Sequence, residues 1–363
     1  MSHRAIAALE EARELLEESP VRAIRRVPAA SSLPMALRAE RDFIEAEAWR
    51  ARGYFGKAQP LYTRVLKKTR PAEDPALWIE AALGSASGLR STGEHRVAAS
   101  LLAQALALAK KTKILRAYAD RLELESALVD RAAERYTASL KVFRAKLQGA
   151  VAHREWQEAG FLLWAIGGAQ RFQGKLKDAQ MSFTESHRYA LRAGDAIGAG
   201  YALFGLGGAT RVRGKLKESE QHYSKAGALF AKTEDDFAKA YAFCGRANAL
   251  RQLGRLQEAE RSYAKSRIIY AKLGDPIDLA YVDWGLGEIA LKRGRAKDAL
   301  PHLKKAEHGF TQGGETRGAV LVWISTARAY HALGRTAEGE ALFTKAVTLA
   351  RKSRIHTHLE SYT

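Results

Sequence analysis

The chain has 363 residues, with 59 Lys and Arg against 40 Asp and Glu, a net charge of +19 and 47% hydrophobic residues. That composition supplies apolar material for a large core and excludes wholesale disorder. A single cysteine, Cys244, excludes an internal disulfide and any cysteine-built zinc or iron–sulfur centre, and fits a reducing compartment.

In chain order, residues 3–18 form a charged amphipathic stretch and not an apolar signal core, and no run approaches the roughly 18 apolar residues of a membrane span. The expected location is cytoplasmic, with no membrane partner. Pro20, Pro28 and Pro34 then punctuate a connector, so residues 1–33 read as a capping helix plus the connector that joins it to the remainder of the chain.

From 34 to 353 the text repeats. Gly53, Gly93, Gly174, Gly214, Gly254, Gly294 and Gly334 recur about every 40 residues, and Glu134 stands where one more glycine belongs. Five residues after each of these eight positions comes a small side chain: Ala58, Ala98, Ser139, Ala179, Ser219, Ala259, Ala299 and Gly339. Nine after comes a large apolar one: Tyr62, Leu102, Phe143, Phe183, Tyr223, Tyr263, Leu303 and Phe343. Helical periodicity on both sides of the glycine predicts two helices per unit, joined where positive φ is free. Gly194-Asp195, Glu234-Asp235, Gly274-Asp275 and Gly314-Glu315 predict the end of one unit and the cap of the next, with Pro276 in the first turn of its helix. Strand alternation is absent, so the fold class is all-α. Residues 354–363 read as a short polar tail.

These offsets, with a small residue seven before the glycine (Gly167, Gly207, Ala247, Gly287, Ala327) and Tyr330 and Ala346 in the last unit, resemble the tetratricopeptide repeat. The unit is about 40 residues long instead of the usual 34, as in repeats similar to those of spindle-orienting G-protein-signalling modulators, kinesin light chains and several bacterial regulators. The resemblance implies a right-handed α-solenoid of eight helix pairs. It also implies that the first helix of each pair lines a concave face.

Four offsets fall on that inward stripe. Thirteen before the glycine stand Phe161, Tyr201, Tyr241 and Tyr281; ten before stand Trp164, Phe204, Cys244 and Trp284; six before stand Gly168, Gly208, Asn248 and Glu288. Three before stand Arg50, Arg90, Arg131, Arg171, Arg211 and Arg251, with Leu291 and His331 at the same offset in the last two units. Two readings of the arginines remain open: cations that complement the helix dipole, or a ladder of guanidinium forks that grips carboxylate or phosphate. The rings are likewise either core or ligand-facing, and Gly168 and Gly208 open space beneath them. Asn248 resembles the asparagine with which the signalling-modulator repeats bind a peptide main chain.

No GxxxxGK[ST] loop, GxSxG elbow, HExxH or GxGxxG between strand and helix occurs, and the histidines, His222, His302, His356 and His358 among them, form no metal set. Catalysis, metals and cofactors are not expected. The expected function is a protein-binding scaffold or adaptor that takes an acidic, aromatic-anchored partner segment through Arg131, Arg171, Arg211, Arg251, Phe161, Tyr201, Tyr241, Tyr281, Trp164, Phe204, Trp284 and Asn248. The alternatives are RNA binding, prompted by the charge, and a ligand-sensing module that acts on a partner enzyme. The Ala, Arg and Gly richness points to a bacterial source.

Overall fold

The structure is a computed structural model that describes residues 2–353 and residue 355. All regular structure among these residues is helical, in 18 α-helices and two 3₁₀ turns, Ala30–Ser32 and Met35–Leu37. The N-terminal helices are α1 (Ser2–Glu18) and α2 (Pro20–Arg26). Eight pairs come after them: α3 (Arg38–Ala51) with α4 (Phe55–Lys68), α5 (Pro75–Ser91) with α6 (His95–Lys111), α7 (Leu115–Ala132) with α8 (Tyr136–Ala152), α9 (Trp156–Phe172) with α10 (Leu176–Arg192), α11 (Ala196–Val212) with α12 (Leu216–Phe230), α13 (Asp236–Gln252) with α14 (Leu256–Leu273), α15 (Pro276–Lys292) with α16 (Ala296–Gln312), and α17 (Thr316–Ala332) with α18 (Thr336–Lys352). The expected tail falls outside the described residues except for Ile355, which is buried with Val320, Ala346 and Ala350.

By packing, the chain divides into two units: residues up to 155 together with 233–236, and 156–232 together with those from 237 on. In the first, Ala5, Leu9 and Ala12 of α1 and Ile44 of α3 share a cluster with Leu33 of the connector. The connector is more ordered than its prolines suggest. Ser19 accepts a hydrogen bond from the Arg22 N–H and Pro20 takes the first helical position, so seven residues form α2. In the second unit the core runs from Phe183, Leu203, Leu206 and Phe230 to Trp284, Leu303, Phe310 and Leu321.

The repeat signals act as backbone and packing devices. All seven turn glycines have positive φ, and Glu134 takes the same left-handed conformation at φ 63°. The small residues five positions on are buried, since the two helices of a pair cross there. Most large residues nine positions on are 0–3% exposed, whereas Phe343, with no described repeat after it, is 50% exposed. Asp195 and Asp275 cap α11 and α15 by accepting from Gly198 N–H at 2.8 Å and Asp278 N–H at 3.0 Å. Glu315, expected to cap α17, makes no such bond, and its carboxylate instead accepts from the Tyr281 hydroxyl at 2.9 Å. The extra methylene carries that carboxylate past the helix start to the neighbouring inner helix.

A contact between successive repeats completes the design. The ring nine after one turn lies on a glycine nine before the next, pairing Tyr62 with Gly84, Phe183 with Gly205, Tyr223 with Gly245 and Tyr263 with Gly285. A Cβ at Gly245 would lie 2.6 Å from Tyr223 Cδ1. Helix propensity alone would favour alanine at these mid-helix sites by about 1 kcal/mol, so the ring contact decides the residue.

Stability should respond in opposite directions at two of these positions. Glu134→Gly should raise the urea midpoint, by about 0.5–1 kcal/mol of unfolding free energy, because it removes a left-handed Cβ. Gly245→Ala should lower stability by about 2 kcal/mol, since overpacking outweighs the gain in helix propensity.

Candidate functional site

The inner stripe of the second unit carries groups of rings in mutual contact. Trp164 on α9 meets Phe161 at 5.6 Å between centroids and Tyr201 on α11 at 5.9 Å. Phe204 stacks on Tyr241 of α13 at 3.8 Å, and Tyr281 on α15 meets Phe310 edge-on. Phe161 is 39% exposed, and Trp164, Tyr201, Phe204, Tyr241 and Tyr281 are half-buried. Each of these rings has one side in the helix packing and part of its surface open. Trp284 differs: it is 2% exposed, because its indole N–H donates to Ser325 Oγ at 2.9 Å inside the α15–α17 contact.

The arginines three before the turns also divide. Arg131 and Arg171 are half-buried. The Arg171 guanidinium lies 4.6 Å from the Phe172 ring, and a Cβ at Gly208 would come within 3.0 Å of its Nη1, so that glycine makes room for a cation from the preceding repeat. Arg211 is 5% and Arg251 1% exposed, so neither presents its guanidinium to solvent. Arg251 packs against the Trp284 ring and donates to Glu288 at 3.4 Å, and Glu288 also accepts from Arg328 at 3.1 Å. The same offset thus supplies an open cation at Arg171 and an inter-repeat tie at Arg251. In the first unit Arg90 likewise pairs with Glu125 of the next repeat at 2.8 Å, whereas Arg50 pairs within its own helix with Glu47 at 2.6 Å.

Asn248 is half-buried, and its Oδ1 accepts from the Tyr263 hydroxyl at 2.8 Å, which fixes the ring that packs on Gly285. The Cys244 thiol is pushed up to about 12 by burial, with Asp278 adding to the effect, so it is no thiolate nucleophile. Burial also pushes the Tyr241 hydroxyl up to about 12, against the pull of Arg171. His222 is held below the ordinary histidine value by burial and then by Lys225, and His302 Nδ1 lies 3.9 Å from Asp283. No group of three His, Cys, Asp or Glu side chains among the described residues could hold a metal, and no helix among them is long and apolar enough to cross a membrane.

Two contributors lie outside the offset pattern. Arg317 on α17 lies 5.0 Å from the Phe172 ring on α9, so the last inner helix of this unit comes back to its first. Asp278 lies one helical turn before Tyr281 on the stripe, where the other repeats of this unit carry Glu158, Gly198, Ala238 and Gly318. Position alone could have flagged Asp278, whereas nothing local announces Arg317.

No family model and no curated protein matches the sequence. Solved structures do match. A Rap protein complexed with competence and sporulation factor superposes with a TM-score of 0.70 at 13% identity, covering 97% of this chain and 99% of that one. The chain is a helical-repeat solenoid. The quorum sensor NprR from B. thuringiensis, in its apo form, gives 0.60 at 15% identity over 94% and 97%, and aspartyl phosphate phosphatase F from Bacillus subtilis gives 0.61 at 13% over 96% and 94%. At these identities the likeness concerns the fold.

The division among the arginines is measurable by urea unfolding. Arg251→Gln should cost about 3 kcal/mol, because Glu288 is left short of a buried partner. Arg171→Gln should stay within about 0.5 kcal/mol of the parent.

Proposed function

We propose that this protein is a peptide-binding regulatory adaptor without catalysis of its own, whose inner-helix stripe forms a concave groove for a short or extended partner segment. The observation that carries the reading is the half-open ring run Phe161, Trp164, Tyr201, Phe204 and Tyr241, flanked by the Arg171 guanidinium in the space left by Gly208. Rings with one face packed and one face open give rigid apolar pockets for side-chain anchors at small entropic cost. Arg171 adds charge-assisted donors for an acidic residue of the partner. The contact of Arg317 with Phe172 supports an enclosed groove in the second unit.

The similar structures support the same direction, since one is a Rap protein complexed with competence and sporulation factor and another is named a quorum sensor. In this reading the partner is a protein or peptide, the location is the bacterial cytoplasm, and the high thiol pKa of Cys244 is consistent with a site that binds without reacting.

The test is capture of peptides and proteins from native lysate on the immobilised chain, with and without nuclease, and their identification by mass spectrometry. Retention should survive nuclease. Replacement of Phe204 and Tyr241 by Ala should abolish it, while Arg171→Gln should weaken it by about ten- to a hundredfold. Captured material that is chiefly RNA or DNA, with a steep logarithmic salt slope, overturns the reading in favour of nucleic-acid binding.

A further inference from the structure

On the side away from the inner stripe, the junctions between repeats are also built from fixed offsets. Thirteen after one turn, eleven before the next and eight after that next turn stand Arg267 on α14, Asp283 on α15 and His302 on α16. Arg267 donates to Asp283 at 2.8 Å, and His302 Nδ1 lies 3.9 Å from the same carboxylate. One junction later the first two offsets hold Glu307 and Trp323, and the indole N–H donates to Glu307 at 2.7 Å. Eleven after the turn a lysine lies over the inner-helix residue eleven before it: Lys265 is 5.5 Å from the Phe243 ring and Lys345 is 3.9 Å from the Trp323 ring. Four offsets thus converge at one place.

Between α10, α11 and α12 those offsets are filled by His187, Leu203, His222 and Lys225. Leu203, 6% exposed, stands where the other junction has Asp283. Two imidazoles and an ammonium therefore share a junction with no carboxylate at its centre. Their mutual influence agrees with the register, since Lys225 acts on both imidazoles and His187 acts on His222. Both rings are half-buried, and the Nδ1 atom of each is buried without a hydrogen-bond partner among the described residues.

The charges on the surrounding helices are engaged elsewhere. On α10, Glu185 holds Arg188. On α12, Glu218 pairs with Lys215 at 2.9 Å, and Glu220 with Arg246 of α13 at 2.7 Å. The one charged residue of α11, Arg211, is buried on the inner stripe, and α9 has Glu158 in its first turn and Arg171 in its last. Burial, and then Lys225, hold both imidazoles below the ordinary histidine value; the opposing pull is that of Glu218 on His222, weaker than Lys225.

We propose that the junction of α10, α11 and α12 is a pH-responsive seam, at which protonation of His187 and His222 beside Lys225 loosens the fourth repeat from the fifth. At the junction of α14, α15 and α16 the central carboxylate draws two basic groups together. A leucine in that place leaves like charges facing one another in a poorly hydrated space. Trp164 of α9 meets Tyr201 of α11 across the same two repeats on their inner side, so loosening of the seam reaches the rings of the stripe.

The direction of the pH effect is set by linkage. A histidine held below its ordinary value in the native state binds fewer protons there than in the unfolded chain. Stability is full above the unfolded value near 6.5 and falls as pH drops through it toward the native value.

The test titrates the imidazole resonances of the full chain by NMR, assigned with His187→Gln and His222→Gln. Both midpoints should lie below the ordinary histidine value. Removing one imidazole should raise the midpoint of the other, and Lys225→Met should raise both. Leu203→Asp, which rebuilds the arrangement around Asp283, should raise them further. Amide exchange, compared between proteins at a single pH of about 5.5 where histidines charge, should be faster across α10 to α12 in the parent than in the double variant His187→Gln with His222→Gln, with α15 and α16 unchanged. The double variant should also lose less of its urea midpoint on acidification than the parent.

Midpoints at or above the ordinary value, or indifferent to one another and to Lys225, overturn the cluster and the seam with it. Midpoints as expected with equal exchange in parent and double variant overturn the seam. Should the double variant fail to fold, Lys225→Met decides, since relief of the repulsion should slow exchange across α10 to α12 at the same acidic pH, and unchanged exchange overturns the seam.

Discussion

The rest of the structure depends on the contact between a ring in one repeat and a glycine in the next. Phe183, Tyr223 and Tyr263 each press onto Gly205, Gly245 or Gly285, at distances that leave no room for a methyl group. That contact brings successive inner helices close together, which aligns the side chains between them into common rows. It also explains why glycine, a poor helix former, persists in the middle of these helices. In a repeat array each pair is stabilised largely by its neighbours, so the spacing set at these glycines governs the register of the inner side chains on the helices they join.

Close spacing sorts the polar residues of the stripe. Where the residue six before the turn is Glu288, the arginine from the preceding repeat is drawn in and buried against it and against Trp284. Where that residue is Gly208, the guanidinium of Arg171 rests in the gap, half-buried beside Phe172. Asn248 lies between these cases, its carbonyl oxygen taken by the Tyr263 hydroxyl. One substitution pattern thus separates a repeated arginine that ties two repeats together from one that stays half-open. All six arginines stand in the last turn of their helices, as the helix-dipole reading expects, whereas a uniform ladder does not hold because Arg211 and Arg251 are buried.

Charge is distributed in the same selective way. The excess of basic residues, set by composition, coexists with a pocket of acids around Asp278 that no lysine or arginine among the described residues neutralises by direct pairing. Uncompensated buried charges lower stability where they occur.

The sequence by itself determined the helix pairs, their turns and their small-and-large packing pairs, because these depend on local φ preference and on periodicities of three to four residues. Even Glu134, read only as the place of a missing glycine, takes the glycine conformation at φ 63°, since its neighbours enforce the turn. The inner offsets were legible too, and they located Phe161, Trp164, Tyr201, Phe204 and Tyr241 on one stripe. What the offsets could not decide was exposure. Arg171 and Arg251 occupy equivalent places and differ in burial because a residue some 37 positions further on is glycine in one case and glutamate in the other. The approach of Arg317 to Phe172, across four repeats, depends on rotations accumulated from pair to pair. Such quantities are sums over long-range packing, and only the tertiary structure fixes them.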